Sequence, residues 1–300
     1  METFRVFSAI ATAIFIEAMP FLAIGALFSS AIEVFVTRER ILRLIPRNVA
    51  GGLALGVGAG FLLPTCECGV VLIVRRLIHK GVPPYIAIAY MLAAPIVNPV
   101  VLASTWLAFR GSLSMLASRV VLAAVVAVII GLYSRRIPDV LLDANHGDSG
   151  GHEHDHDHAG QSFVEKIRAV LTHAAREFTD MGKYLIFGAL AAAIFKTLLP
   201  GEVIALIGGN LLLSVVGMMV LAVLLSICSE ADAFVAASFQ TIPAAAQLAF
   251  VAIGPMVDLK LIGMYSVTFK RRMVLALVLG PAVLIFLLSW LAGASGLVGR

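Results

Sequence analysis

Two stretches of this chain, Val120–Leu132 and Val274–Leu291, hold no charged residue at all. Nothing else in the sequence constrains the fold so strongly. An apolar run of about 20 residues matches the hydrocarbon core of a bilayer. Within that core every backbone N–H and C=O must be satisfied by protein, which leaves helices or closed barrels. Similar apolar stretches recur along the 300 residues. The chain is 60% hydrophobic and 13% charged, with a mean hydropathy of +1.00. Soluble domains sit nearer half apolar and a quarter charged. The first apolar run, from near Val6, is too long for the roughly 7–15-residue core of a cleavable signal peptide. The sequence therefore predicts an all-α polytopic membrane protein and disfavours a soluble enzyme.

The net charge of +4 does not point to nucleic acid, because the basic residues sit at the ends of apolar segments. That is where positive-inside topology signals lie. The three cysteines, Cys66, Cys68 and Cys228, are too few for a disulfide framework and leave one thiol over.

The apolar pattern predicts segments at 7–36, 49–64, 66–80, 83–109 (interrupted by prolines) and 112–134, then 174–198, 202–226, 228–242, 244–269 and 273–296. A hydrophilic linker at 137–162 divides a first membrane repeat, 1–136, from a second, 163–300. A shift of 160 positions (228 − 68) superposes Cys68 on Cys228, Pro83 on Pro243, Pro95 on Pro255 and Asn98 on Asp258. Earlier in each half, Glu17 faces Asp180, Gly25-Ala26-Leu27 faces Gly188-Ala189-Leu190, and Asn48 faces Asn210. An ordered set of rare residues argues for an internal repeat.

Basic clusters give its orientation. Arg38, Arg40, Arg43 and Arg47 follow the first segment, and Arg75, Arg76 and Lys80 end the short one. Arg135-Arg136, then Lys166, Arg168 and Arg176, then Lys270-Arg271-Arg272 follow. All fall on one side if each half crosses the membrane five times, with Arg110, Arg119 and Lys196 sparse on the other. An odd number of crossings inverts the second repeat and places the linker in the cytoplasm. If the short segments only dip into the membrane, Arg135-Arg136 and the early arginine loop lie on opposite sides. Inverted repeats with matching broken helices predict a substrate site at the midplane, where the breaks meet.

Three motifs bring chemistry to those breaks. In Pro64-Thr65-Cys66-Glu67-Cys68-Gly69, Pro64 ends the preceding helix and Thr65 is the expected N-cap, so two thiols open a helix. Its counterpart is Ser226-Ile227-Cys228-Ser229-Glu230-Ala231-Asp232. Charges in apolar surroundings are costly and face cavities or partners. In Ala94-Pro95-Ile96-Val97-Asn98-Pro99, Pro95 and Pro99 should open the helix; Pro255 and Asp258 mark the matching place. Glu17 lies deep in the first segment, and Asp180 pairs with Lys183 near a boundary. The linker carries His152, His154, His156 and His158 alternating with carboxylates. Such tracts bind borderline metals such as zinc, copper or nickel.

The motifs Thr-Cys-Glu-Cys-Gly at 65–69, Ala-Pro-Ile-Val-Asn-Pro at 94–99 and Cys-Ser-Glu-Ala-Asp-Ala-Phe at 228–234 resemble the predicted-permease family that includes the ArsP-type organoarsenical efflux permeases. The resemblance covers nearly the whole chain except the His-rich linker. It implies that Cys66, Cys68 and Cys228 contact a soft, thiol-seeking species, foremost a trivalent arsenical.

The residues themselves agree that sulfur suits a soft substrate, without separating arsenic from copper(I) or mercury(II). Asn98 and Asp258 are further substrate-binding candidates, and Glu17, Glu67, Glu230 and Asp232 are candidates for proton or ion coupling. No Gly-x-x-x-x-Gly-Lys-Ser/Thr loop occurs, so coupling within this chain is expected to be ionic. The expectation is an inner-membrane efflux permease with no cofactor. Its partners are lipid, a small-molecule or metalloid substrate, a coupling ion (a proton foremost) and, compatibly, a second copy; nucleic acid is not one. The alternatives are a heavy-metal ion transporter, a channel or an intramembrane thiol oxidoreductase. The last is disfavoured, because Cys66 and Cys68 are separated by one residue rather than two.

Overall fold

The glycines of the segment after Asn48 explain why its helix packs as closely as it does. In the computed structural model, which describes residues 2–35, 37–46, 48–62, 65–137, 139–142, 163–198 and 210–296, this segment is α3 (Val49–Leu62). Gly52, Gly56 and Gly60 recur every four residues on one stripe facing α5 (Pro84–Val97). A Cβ at Gly60 would stand 2.5 Å from Ala94 Cα, and one at Gly56 2.7 Å from the Ile86 carbonyl. In lipid, helices gain little from burying apolar surface against each other. Close backbone approach over small residues supplies the packing instead.

Among the described residues the fold is helical, apart from one isolated bridge between Leu141 and Phe269. The first half contains α1 (Glu2–Phe35), α2 (Arg38–Leu44), α3, α4 (Glu67–His79), α5, α6 (Pro99–Ala108) and α7 (Leu113–Ser134). The second contains α8 (Phe163–Leu198), α9 (Leu211–Leu225), α10 (Asp232–Ser238), α11 (Ala244–Ile253), α12 (Leu259–Thr268) and α13 (Arg271–Ala294). α1 and α8, of 34 and 36 residues, lie along each other. α3, α5 and α7 pack in sequence, as do α9, α11 and α13. The halves join where α4 meets α12, α6 meets α10 and α7 meets α13. Fully buried Leu72, Ile73, Ile88, Met91, Leu92 and Ile96 on α4 and α5, with Phe250, Tyr265 and Phe269 across the joint, form the core.

By length and composition, α7 and α13 can each cross a membrane. The pair α5 and α6, bent by 41°, makes a third span if taken together. α3, α9 and α11 are apolar but hold only 14, 15 and 10 residues. At about 1.5 Å per residue they fall short of the roughly 30 Å core.

The structure corrects several sequence expectations. The helix opening the second half starts at Phe163 rather than near 174. The expected segment at 228–242 shrinks to α10, preceded by turns. Pro95 is not a helix break: α5 runs through it to Val97, and the chain turns at Asn98. Pro99 begins α6, where its missing N–H is not needed. Pro255 lies in the turn between α11 and α12, and Pro64 lies outside the described residues, as do His152, His154, His156 and His158. The linker's first residues are docked: Val140 is buried, its carbonyl accepts from Lys270 N–H at 3.0 Å, and Leu142 N–H donates to Thr268.

Candidate functional site

Where α3 ends and α4 begins, Cys66 rather than Thr65 is the N-cap; its sulfur accepts from Gly69 N–H at 3.4 Å. Thr65 instead bonds to Tyr90 Oη at 3.3 Å on α5. Glu67 and Cys68 occupy the first turn of α4, both buried. This end is held against α1 by a glycine contact: a Cβ at Gly25 would lie 2.5 Å from Gly69 Cα.

Across the joint, α12 starts behind Asp258. One oxygen of that carboxylate accepts from Leu261 N–H at 2.6 Å and so caps the helix. Asn98 does the same for α6, accepting from Val100 N–H at 2.9 Å. The two polar residues at the repeat-related breaks are thus both helix caps. Such caps keep orphan N–H groups satisfied where no water is available.

Lys260, in the first turn of α12 and 3% exposed, had no part in the expected site. Its ammonium stands 3.4 Å from Asp258 Oδ2 and 3.7 Å from Glu67 Oε1. The other Glu67 oxygen accepts from the Ser229 hydroxyl at 3.2 Å. Cys68 and Cys228 lie within electrostatic reach of both Lys260 and Glu67. Glu230, half-buried in the turn before α10, faces Cys228 in the same way.

Arg119 on α7 was expected as a sparse flank charge. It is in fact fully buried, donating to Asp232 Oδ2 at 2.7 Å and Thr105 Oγ1 at 2.6 Å. Its second nitrogen also reaches the Ser229 carbonyl at 3.5 Å. Asp232 Oδ1 and Arg119 Nε find no hydrogen-bond partner among the described residues. Ser229 therefore joins both charge clusters, its hydroxyl on Glu67 and its carbonyl on Arg119.

Cys66, Cys68, Cys228, Glu67, Asp232 and Asp258 gather at this joint between halves. Asp180 does not: it forms an exposed pair with Lys183 at 3.3 Å. Glu17 lies on α1, with its side chain outside the described residues. The three cysteines are free thiols. Among the described residues no group of three His, Cys, Asp or Glu is arranged to hold a metal ion. A sequence signal existed for both missed cations: each is a lone basic residue close to an apolar run, where an unpaired charge is untenable.

Long apolar helices, one span bent midway, and charges buried at the break together define a helical membrane permease. The chain belongs to the ArsP-type family described as predicted permease, whose profile matches residues 3–294. It is 38% identical over 286 residues to a Streptococcus mutans protein named as a subunit of a two-component membrane permease complex, covering 95% of this chain and 94% of that one. It is 41% identical over 279 residues to UPF0718 protein YcgR of Bacillus subtilis, covering 92% and 93%. No solved structure matches it.

Proposed function

We propose that this permease exports a soft, thiol-seeking species across the inner membrane, foremost a trivalent arsenical (organoarsenical or arsenite), driven by an ion gradient. The observation that carries this is the convergence of buried thiols and unbalanced carboxylates at one joint. Cys68 and Cys228 lie close to Glu67 and to the ammonium of Lys260, which also faces Asp258, and Cys66 caps the same helix start. Sulfur selects a soft centre over hard cations. A mono-organic trivalent arsenical takes two thiols, which the adjacent Cys66 and Cys68 supply. Each As–S bond forms as an arsenic hydroxyl leaves with the thiol proton as water. Arsenite takes three, drawing in Cys228 from the other half.

Two carboxylates against one ammonium leave room for one more positive charge. A stranded ion in such surroundings costs several kcal/mol, so a proton entering at Glu67 or Asp258 is the natural coupling ion. Asp232 is a second acceptor, with one oxygen that has no hydrogen-bond partner among the described residues. The halves act as inverted repeats of five segments each, joined by a cytoplasmic linker. What supports this is the repeated helix order and the 160-residue spacing of Pro83 and Pro243, both of which cap helices. Rocking of one half on the other then exposes the joint alternately. A second subunit, as the Streptococcus relative's name states for that protein, is a partner to seek alongside a second copy.

The test is uptake into everted membrane vesicles of arsenite, a trivalent methyl arsenical, copper(I) and zinc, with and without an uncoupler. Uncoupler-sensitive arsenical uptake that is lost in Cys66→Ser and Cys68→Ser supports the proposal. Uptake of zinc alone, indifferent to the cysteines, would overturn it in favour of a heavy-metal transporter.

A further inference from the structure

A cavity of about 1170 Å³ opens between α7 and α13, well away from the thiols. One end carries Arg136, Lys270, Arg271 and Arg272, and among the described residues no acidic one lines the cavity. The rest is an apolar trough in which Leu275, Leu279 and Val283 on α13 are each at least half exposed. Lys270 also faces Asp139, at 3.8 Å on the rim. Within the trough Gly280 lets α13 pack closely on Ile130 of α7.

The two parts differ in what they ask of an occupant. Arg136, Arg271 and Arg272 within one mouth repel each other and call for an anion with several acceptor oxygens. The trough faces lipid and calls for hydrocarbon, since an aqueous solute would leave it bare. One class of molecule meets both demands. Basic pockets between membrane helices are where anionic head groups are held. We propose that the α7–α13 cleft binds one anionic phospholipid, its phosphate at Arg136, Arg271 and Arg272 and an acyl chain along Leu275, Leu279 and Val283. Both helices flank the joint, with α7 carrying Arg119, so a bound lipid ties the two halves together from outside.

The experiment is lipid retention by the purified full chain in detergent, read by native mass spectrometry. Phosphatidylglycerol, phosphatidylcholine and inorganic phosphate are the probes, and melting temperature is the second readout. Wild type should keep phosphatidylglycerol in preference to phosphatidylcholine and melt higher with it. R136Q, R271Q and R272Q should each weaken retention about fivefold, the contribution of a basic residue near an anionic membrane surface. R110Q, a charge remote from the cleft, should not. Ala276→Trp, which fills the trough and keeps every charge, should displace the lipid too. Equal retention of phosphatidylcholine, protection by phosphate alone, or unchanged binding in both the arginine and the Ala276→Trp variants would overturn the proposal.

Discussion

The two charge clusters at the joint share a residue yet are built to different standards. Arg119 and Asp232 are balanced, one charge against one, at 2.7 Å with Thr105 in support. Glu67, Lys260 and Asp258 are unbalanced, two carboxylates against one ammonium, with contacts of 3.4 and 3.7 Å. A short, paired ion contact holds a geometry. A loose, odd-numbered one has somewhere for a further charge to go. The first cluster has the features of a fastening, and the second is the one at which the proposed substrate and proton would act.

The comparison is easiest to break at Asp232. Asp232→Ala strands a buried guanidinium and should cost about 3–5 kcal/mol, seen as a lowered melting temperature of the purified protein. Replacing both partners with apolar residues, Arg119→Met with Asp232→Leu, should recover most of that. A single variant as stable as wild type would show that the pair fastens nothing. Lys260→Met tests the other cluster. It leaves Glu67 and Asp258 facing each other, and should cut uptake about 10–100-fold, as losing a residue beside a bound ion does. Its melting shift should be smaller than that of Asp232→Ala; the reverse ranking would mean that Lys260 is the structural member.

Much of this was readable beforehand, and the failures have physical causes. Prolines and rare polar residues located the breaks, because a chain in lipid tolerates them only where caps and partners exist. The caps themselves were misassigned at Thr65, since its hydroxyl had a better partner in Tyr90 than in the α4 backbone. Pro95 misled because α3, α4 and α7 pack around α5 and carry the helix through it. Lys260 and Arg119 were missed for a common reason. Their partners, Glu67 and Asp232, lie in the opposite half of the chain, and no local spacing reveals a contact across that distance.

The caps give the two smallest effects. Asn98→Ala should cost about 1 kcal/mol, the loss of one N-cap. Asp258→Asn keeps the cap and should leave the melting temperature nearly unchanged. It removes a carboxylate facing Lys260, so it should weaken the uncoupler-sensitive part of uptake. If Asn98→Ala and Asp258→Asn behaved alike in both measurements, the breaks would be equivalent and the asymmetry drawn here would be wrong.

Ser229 gives the joint its arithmetic. Its hydroxyl answers to Glu67 and its carbonyl to Arg119, so one residue of the second half is tied to two charges of the first. Neutralising Glu67 changes what that hydroxyl donates to, and any shift of the peptide is felt by the arginine. Linkage runs equally in the other direction. Whatever loosens Arg119 from Ser229 therefore acts on the contact to Glu67 as well. A displacement at either charge cluster is thus shared with the other through a single residue.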